Sequence, residues 1–219
     1  CAAWMLIFAF FYSFPAADTA FSSLFCETKQ GLGQTACALF PARNHWLTGS
    51  FRALFYWIPV GALVAMLADI VWQYARNRWA DRDRLRMEIF ALAAYLVGPI
   101  ILVNGLLKAY SGRPRPVDVT LFGGDLGFVS AGDFSGGCVS NCSFVSGEAA
   151  AAGWLLCLIP LVRGPFRHII AALIIDVSLA APFLRVIMGS HFLSDAMLGW
   201  LIGAMSLPAL VALHAALPE

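Results

Sequence analysis

Charge is what this sequence has least of. Its 219 residues include 14 Lys or Arg and 13 Asp or Glu, a charged share of 12%, against about 25% in an ordinary soluble domain. A soluble fold of this size could not cover its surface with so few charges. The two signs cancel to a formal +1, whereas a nucleic-acid partner would need a basic excess or stripe. Disorder is excluded by the same arithmetic, because disordered chains are polar and highly charged. Internal repeats, heptad runs and a separate soluble segment are also missing, so residues 1–219 read as one domain. What is abundant is apolar: 60% of the residues, with a mean hydropathy of +0.77. The chain reads as an integral membrane protein.

Five apolar runs reach the length of about 20 residues that a helix needs to cross a hydrocarbon core. They are Phe55–Ala75, Ile89–Leu107, Phe144–Val162, Ile169–Val186 and Phe192–Leu213. A sixth run, Ala2–Phe14, has thirteen residues. Position 1 is Cys rather than Met, so the natural chain is expected to start earlier and supply the missing turns. A signal peptide is the competing reading of that run, but no basic segment precedes it and no A-x-A-like site follows. The expected fold class is all-α, a polytopic membrane protein with six transmembrane helices.

Arg76, Arg78, Arg82, Arg84 and Arg86 crowd between the second and third spans, and Arg163 and Arg167 separate the fourth from the fifth. By the positive-inside rule both loops are cytoplasmic. Both chain ends are then inside, and Pro15–Arg52, Lys108–Ser143 and Ile187–His191 connect the spans outside. Trp46, Trp57, Trp72, Trp79, Trp154 and Trp200 fall mostly near predicted span ends, as a belt of lipid anchors would. The glycine-rich stretch Gly123–Cys142 reads as a flexible loop or lid. Cys26 with Cys37, and Cys138 with Cys142, share outer loops where disulfides can form. A zinc site from those four matches no common spacing. Cys1 and Cys157 fall in spans and read as buried cysteines.

Three clusters of charge stand at the outer ends of spans. The first is Lys108-Ala-Tyr-Ser-Gly-Arg113-Pro-Arg115-Pro116. Proline fixes the backbone and extends its predecessor, so the two guanidinium forks are pre-aimed, and guanidinium groups beside a lysine suit a phosphate. A plain basic surface turn is the blander reading. The second is Asn141-Cys-Ser-Phe-Val-Ser146-Gly147-Glu148, where Ser and Gly at a helix start offer unpaired amides to an anion. Taken alone, Glu148 reads as a dipole-favoured first-turn residue. The third is Arg185-Val-Ile-Met-Gly-Ser-His191-Phe-Leu-Ser-Asp195. His191 and Asp195 are four apart and are expected to share a helix face and a hydrogen bond. A carboxylate on one imidazole nitrogen would leave the other free to attack.

In order, these segments read K-x6-RP, then SG at a helix start, then R-x5-H-x3-D. That pattern resembles the type 2 phosphatidic acid phosphatase superfamily, the lipid phosphate phosphatases, and the run Asn141–Glu148 is similar to its bacterial lipid A phosphatases. The resemblance implies a six-helix enzyme that hydrolyses a membrane lipid phosphate without a metal or other cofactor. It also implies a bacterial inner-membrane location with the active site facing the periplasm; the partners are the bilayer and its lipid, not nucleic acid. Lys108, Arg115 and Arg185 match the family's phosphate-binding positions, as do Ser146 and Gly147. His191 matches the nucleophile that becomes phosphohistidine, and Asp195 its orienting partner. Arg113 is an additional arginine, expected to join the phosphate site.

Two departures stand out. The family usually has Pro-Ser-Gly-His where this chain has Val145-Ser-Gly-Glu148, and Ser-Arg where this chain has Leu184-Arg185. The missing histidine is taken to protonate the leaving oxygen, which Glu148 would have to do as a carboxylic acid. Such an acid suits a leaving group that needs little help. A lipid A phosphatase acting at the anomeric 1-position, or an undecaprenyl diphosphate phosphatase, therefore fits better than a phosphatidate phosphatase. Phosphatidylglycerophosphate is a further alternative substrate. A lipid-phosphate transporter is the reading from another class, but its charges would gather near the midplane. Asn104 and Asp176 are the strongly polar residues deep within spans, and both are expected to be buried hydrogen-bonding partners. A phosphotransferase would pass the phosphoryl group from His191 to an acceptor other than water. Lys29, Arg43 and Arg52 carry no assigned role.

Overall fold

A computed structural model describes residues 2–28, 37–76 and 82–216 of the chain. Cys1, Lys29, Arg78 and Trp79 lie outside the described residues. Helix α1 (Ala2–Ser13) breaks at Phe14-Pro15 and turns by 85° into α2 (Ala16–Ser23). The sequence reads Pro15–Arg52 as an outer connection between the first two spans. In the structure that segment contains α2, a two-stranded antiparallel ribbon of β1 (Glu27–Thr28) and β2 (Cys37–Leu39), and the short helix α3 (Pro41–Asn44). Cys26 is disulfide-bonded to Cys37 across the ribbon, and Pro41 starts α3 where its missing N–H costs nothing.

Among the described residues, four helices are long and apolar enough to cross a membrane: α4 (Trp46–Ala75), α5 (Arg82–Tyr110), α7 (Arg167–Ile187) and α8 (Leu193–Ala216). The bent pair α1 and α2 makes a fifth if it is one span. The remaining predicted span is α6 (Gly147–Leu161), apolar but shorter, its last part tightened to a 3-10 helix that contains Pro160. Helix α5 widens between Leu96 and Leu107, a stretch that includes Pro99, and Asn104 Nδ2 donates to the Pro99 carbonyl at 2.7 Å. Wide turns of this kind recur at functional sites, and this one ends at Lys108.

The core lies where α6 meets α8. In a bilayer, helices associate by close packing rather than by expulsion of water, and the sequence supplies small residues for it. A Cβ at Gly203 would collide with the Ala150 carbonyl oxygen, and one at Gly153 with the Trp200 carbonyl oxygen. Gly199 likewise lies against the Ser146 backbone, so the Gly199-x3-Gly203 stripe lets the two helices touch along their backbones. Trp154 fills the space beside this contact, fully buried, with its indole N–H on the Ala91 carbonyl at 2.7 Å. Trp200 is half-buried and donates to Ser178 Oγ at 2.9 Å. These two tryptophans are interior residues that satisfy their N–H groups, contrary to the lipid-anchor expectation. Trp46, Trp57 and Trp72 are exposed, as anchors would be.

Two further expectations change. Asp176 lies exposed on α7 rather than buried, and Asn104 is exposed, facing a cavity described below. The stretch Gly123–Cys142 is pinned rather than lid-like. The Cys138 amide bonds to the Gly112 carbonyl at 2.9 Å, Arg113 Nε bonds to the Val129 carbonyl at 2.9 Å, and a Cys138–Cys142 disulfide closes its end.

Candidate active site

The turn between α7 and α8 sets the geometry. Helix α7 ends at Ile187, and Gly189 takes a left-handed φ of 62°, a conformation open to glycine at little cost. The Ser190 amide bonds to the Arg185 carbonyl at 3.0 Å and the Gly189 amide to the Val186 carbonyl at 2.9 Å. This paired closure is a Schellman motif. It fixes Arg185, in the last turn of α7, relative to His191 just beyond the turn. The Gly189 carbonyl also accepts from the Val117 amide at 3.2 Å, which ties the Arg-Pro-Arg-Pro segment to the same turn.

His191 is 2% exposed. Its Nδ1 lies 2.9 Å from the Ser143 carbonyl oxygen. A carbonyl only accepts, so Nδ1 carries the hydrogen and the Nε2 lone pair is free. Burial first, and then the charges of Arg185, Arg115 and Lys108, hold His191 well below its ordinary value of 6.5. The ring is therefore neutral at neutral pH and nucleophilic.

Asp195 does not bond to His191. His191 sits ahead of the helix, which begins at Leu193, so the i,i+4 helical spacing does not apply to the pair. Asp195 Oδ2 accepts from Ser143 Oγ at 2.5 Å and reaches back to the Phe192 amide at 3.0 Å, half of a capping box. The carboxylate thus orients the imidazole through Ser143, whose hydroxyl it binds and whose carbonyl binds the ring.

Arg113 is not in the phosphate site. It is fully buried, with Nη1 on Asp195 Oδ1 at 2.5 Å and Nη2 on Asp18 Oδ2 at 2.8 Å, and its guanidinium carbon stands 4.5 Å from the Phe192 ring centroid. Burial pulls Arg113 down, but Asp195 and Asp18 more than offset that and leave it above its ordinary value.

Of the other expected phosphate ligands, Lys108, Gly147 and Arg185 come together at one cavity, whereas Arg115 and Ser146 are not among its lining residues. Lys108, Gly147, Glu148 and Arg185 line one cavity of about 270 Å³. Arg185 is 4% exposed, and its Nε is buried without a hydrogen-bond partner. Arg115 reaches the Asn141 carbonyl with Nε and Nη2 at 3.2 and 3.1 Å. Burial lowers Arg115 from its ordinary value; Asp118 acts against that and Arg43 with it. Ser146 is the N-cap of α6, its Oγ accepting from the Ala149 amide at 3.3 Å while its own amide bonds to the Asp195 carbonyl at 3.0 Å. Ser146 therefore shapes the site, and the Gly147 and Glu148 amides belong to the first turn, whose N–H groups have no intrahelical acceptor. Gly147 admits no Cβ, since Asn104 Oδ1 occupies that space.

Glu148 is held by cations. Arg52 Nη2 meets its Oε1 at 2.9 Å, and Arg185 Nε stands 3.5 Å from its Oε2. Phe55, Tyr56 and Pro59 of α4 line the same cavity beside these charges. Sequence reasoning left Arg52 unassigned and missed Asp18 and Ser143. An aspartate within an apolar N-terminal segment was the available signal for Asp18. Ser143, in a serine-rich loop, had none.

Known proteins resemble this chain in sequence and in fold. Lipid A 4'-phosphatase of Rhizobium leguminosarum is 39% identical over 216 residues, covering 96% of this chain and 92% of that protein. Lipid A 4'-phosphatase of Francisella tularensis subsp. novicida is 30% identical over 190 residues, 85% of this chain and 81% of that one. The crystal structure of a PAP2 type phosphatidylglycerolphosphate phosphatase from Bacillus subtilis shares the fold, with a TM-score of 0.58 at 18% identity over 100% of this chain and 95% of that one. The PAP2 superfamily model matches residues 88–218, the stretch that carries Lys108, Arg115, Ser146, Arg185, His191 and Asp195. Motif order, site geometry, relatives and fold converge on one family, and the chain belongs to the PAP2 superfamily.

Proposed function

We propose that the lipid on which this membrane phosphatase acts is lipid A, that the phosphate removed is the one at the 4′ position, and that the reaction passes through a phosphohistidine on His191. The observation that carries the mechanism is the commitment of His191 Nδ1 to the Ser143 carbonyl, which leaves Nε2 as a neutral nucleophile inside a ring of cations. The names of the relatives support the substrate. Lys108, Arg115, Arg185 and the first-turn amides of α6 hold the phosphoryl oxygens and stabilise charge in transit. Nε2 attacks in line, and water then hydrolyses the phosphohistidine.

The 4′ position is a secondary ring alcohol, not the anomeric centre that the leaving-group argument favoured. Its oxygen needs a proton, so Glu148 has a real task. An incoming phosphate monoanion draws Arg185 and Arg52 to itself, and the freed Glu148 carboxylate takes the phosphate's remaining proton and passes it to the departing oxygen. The six-span layout counts the bent α1–α2 pair and α6 as spans, with the site at the outer, periplasmic face of a bacterial inner membrane. The arginines near 76–86 and 163–167 support that orientation.

The test is phosphate release by purified protein in detergent from lipid A, undecaprenyl diphosphate, phosphatidylglycerophosphate and phosphatidate. Lipid A should be the fastest substrate and lose its 4′ phosphate, with release that survives chelators and is inhibited by vanadate. His191→Ala should lose at least about 10³-fold. Faster turnover of another lipid overturns the substrate, retained activity in His191→Ala overturns the nucleophile, and no release from any lipid favours a transporter.

A further inference from the structure

Asp18 lies on α2, outside the 88–218 stretch that matches the family and far in sequence from every motif. Its carboxylate is fully buried and fully engaged. Oδ1 accepts from the Ser194 amide at 2.9 Å, and Oδ2 accepts from Ser194 Oγ at 2.5 Å and Arg113 Nη2 at 2.8 Å. The amide contact makes Asp18 the cap of α8, supplied from a distant helix because Phe192 at the N-cap position has no side-chain oxygen. Asparagine could cap as well. The arginine contact asks for a charge.

Arg113 and Asp195, both fully buried, form a neutral pair at 2.5 Å. Taken by themselves they offer His191 no net charge through Ser143. With Asp18 the cluster carries a net charge of −1, in a place closed to water where charges act at a dielectric far below that of bulk solvent. Resting on the phosphohistidine reading, that charge has a use. Nε2 forms a bond to phosphorus while the phosphorus–oxygen bond to the lipid breaks. The lipid oxygen departs with the electron pair and takes the proton that Glu148 has received from the phosphate monoanion, and Nδ1 keeps its hydrogen on the Ser143 carbonyl. The imidazole therefore passes from neutral to cationic, against the repulsion of Lys108, Arg115 and Arg185.

We infer that Asp18 is a positioning and charge-balancing residue of the active site, holding Arg113 on Asp195 and restoring the net negative charge behind Ser143 that stabilises the cationic ring of His191. Nothing in the K-x6-RP, SG or R-x5-H-x3-D segments contains it, so the N-terminal helices supply part of the machinery.

The experiment compares Asp18→Asn, Arg113→Gln and the double variant D18N/R113Q in the full chain. Each is assayed on whichever lipid of the panel the parent turns over fastest, and melting in detergent is followed alongside. Asp18→Asn should lower kcat by about 10- to 100-fold with KM within about threefold. The double variant leaves Asp195 as the sole charge, again a net −1, and should regain at least about tenfold in kcat over Asp18→Asn. A purely structural cap predicts kcat unchanged in Asp18→Asn, whatever the melting temperature, and that result overturns the inference. So does a double variant slower than Asp18→Asn. If Asp18→Asn does not fold, the double variant decides: kcat within about 30-fold of the parent supports the inference, and a greater loss by folded protein overturns it. Failure of the phosphohistidine reading shows separately, as activity retained in His191→Ala.

Discussion

Arg52 on α4 and Glu148 on the first turn of α6 meet at 2.9 Å across 96 positions of sequence, and Arg185 stands 3.5 Å from the same carboxylate. The carboxylate therefore occupies the cations that a phosphate would use. Glu148→Gln should let inorganic phosphate inhibit more strongly, with an inhibition constant lower by about tenfold. Its kcat should fall by about 100-fold as the leaving oxygen loses its proton source. Steady-state kinetics with added phosphate separate the two effects. An unchanged kcat would rule out the acid role, and an unchanged inhibition constant the counter-ion role.

Two arginines two positions apart should fail in opposite ways. Arg115→Ala removes a partly exposed cation of the proposed phosphate site and should give a folded protein with a raised KM and a reduced rate. Arg113→Ala leaves Asp18 and Asp195 buried together without their shared cation, a loss of about 3–5 kcal/mol of stability. Detergent melting curves beside activity read this directly, and a stable Arg113→Ala would contradict the placement of that residue.

His191 also shapes stability against pH. Its folded-state affinity for protons is held well below the ordinary value of 6.5, so below about pH 6.5 the unfolded chain takes up a proton that the folded site refuses. Stability should therefore fall as pH drops from about 7 to about 5 and level off above. His191→Gln should flatten the part of that slope due to this ring. Melting temperatures of the parent and the variant across that range supply the check.

The α6–α8 contact admits no side chain at Gly203. Gly203→Val should cost about 1–3 kcal/mol or more through displaced helices and lower activity with it, since Ser146 and Asp195 join at that interface. Wild-type melting would show that the helices part easily.

The meeting of Lys108, Arg185 and the start of α6 at one cavity, the turn ahead of His191 and most span positions were readable because each rests on a local pattern. An arginine before a proline, a glycine after a helix, or 20 apolar residues in a row report on themselves. Asp195 illustrates the limit. Its spacing from His191 suggested a helical pair, yet α8 begins after His191, and a serine 52 positions from Asp195 became the intermediary. Arg113 illustrates another: beside Arg115 in sequence, it faces the opposite way because two carboxylates from α2 and α8 outbid a surface site. Trp154 and Trp200 carry the composition of an interface and the hydrogen bonds of an interior. What sequence left unread was long-range pairing, which only packing reveals.

The sharp turn at Phe14-Pro15 has a consequence for how this enzyme can be divided. By bringing α2 over the start of α8 it seats Asp18, while α4 brings Arg52 to the cavity. A fragment beginning at α5 would carry every recognisable signature of the superfamily and still lack both contacts. Grafts or truncations drawn at the boundary of the family match would therefore remove the Asp18 and Arg52 contacts from the site.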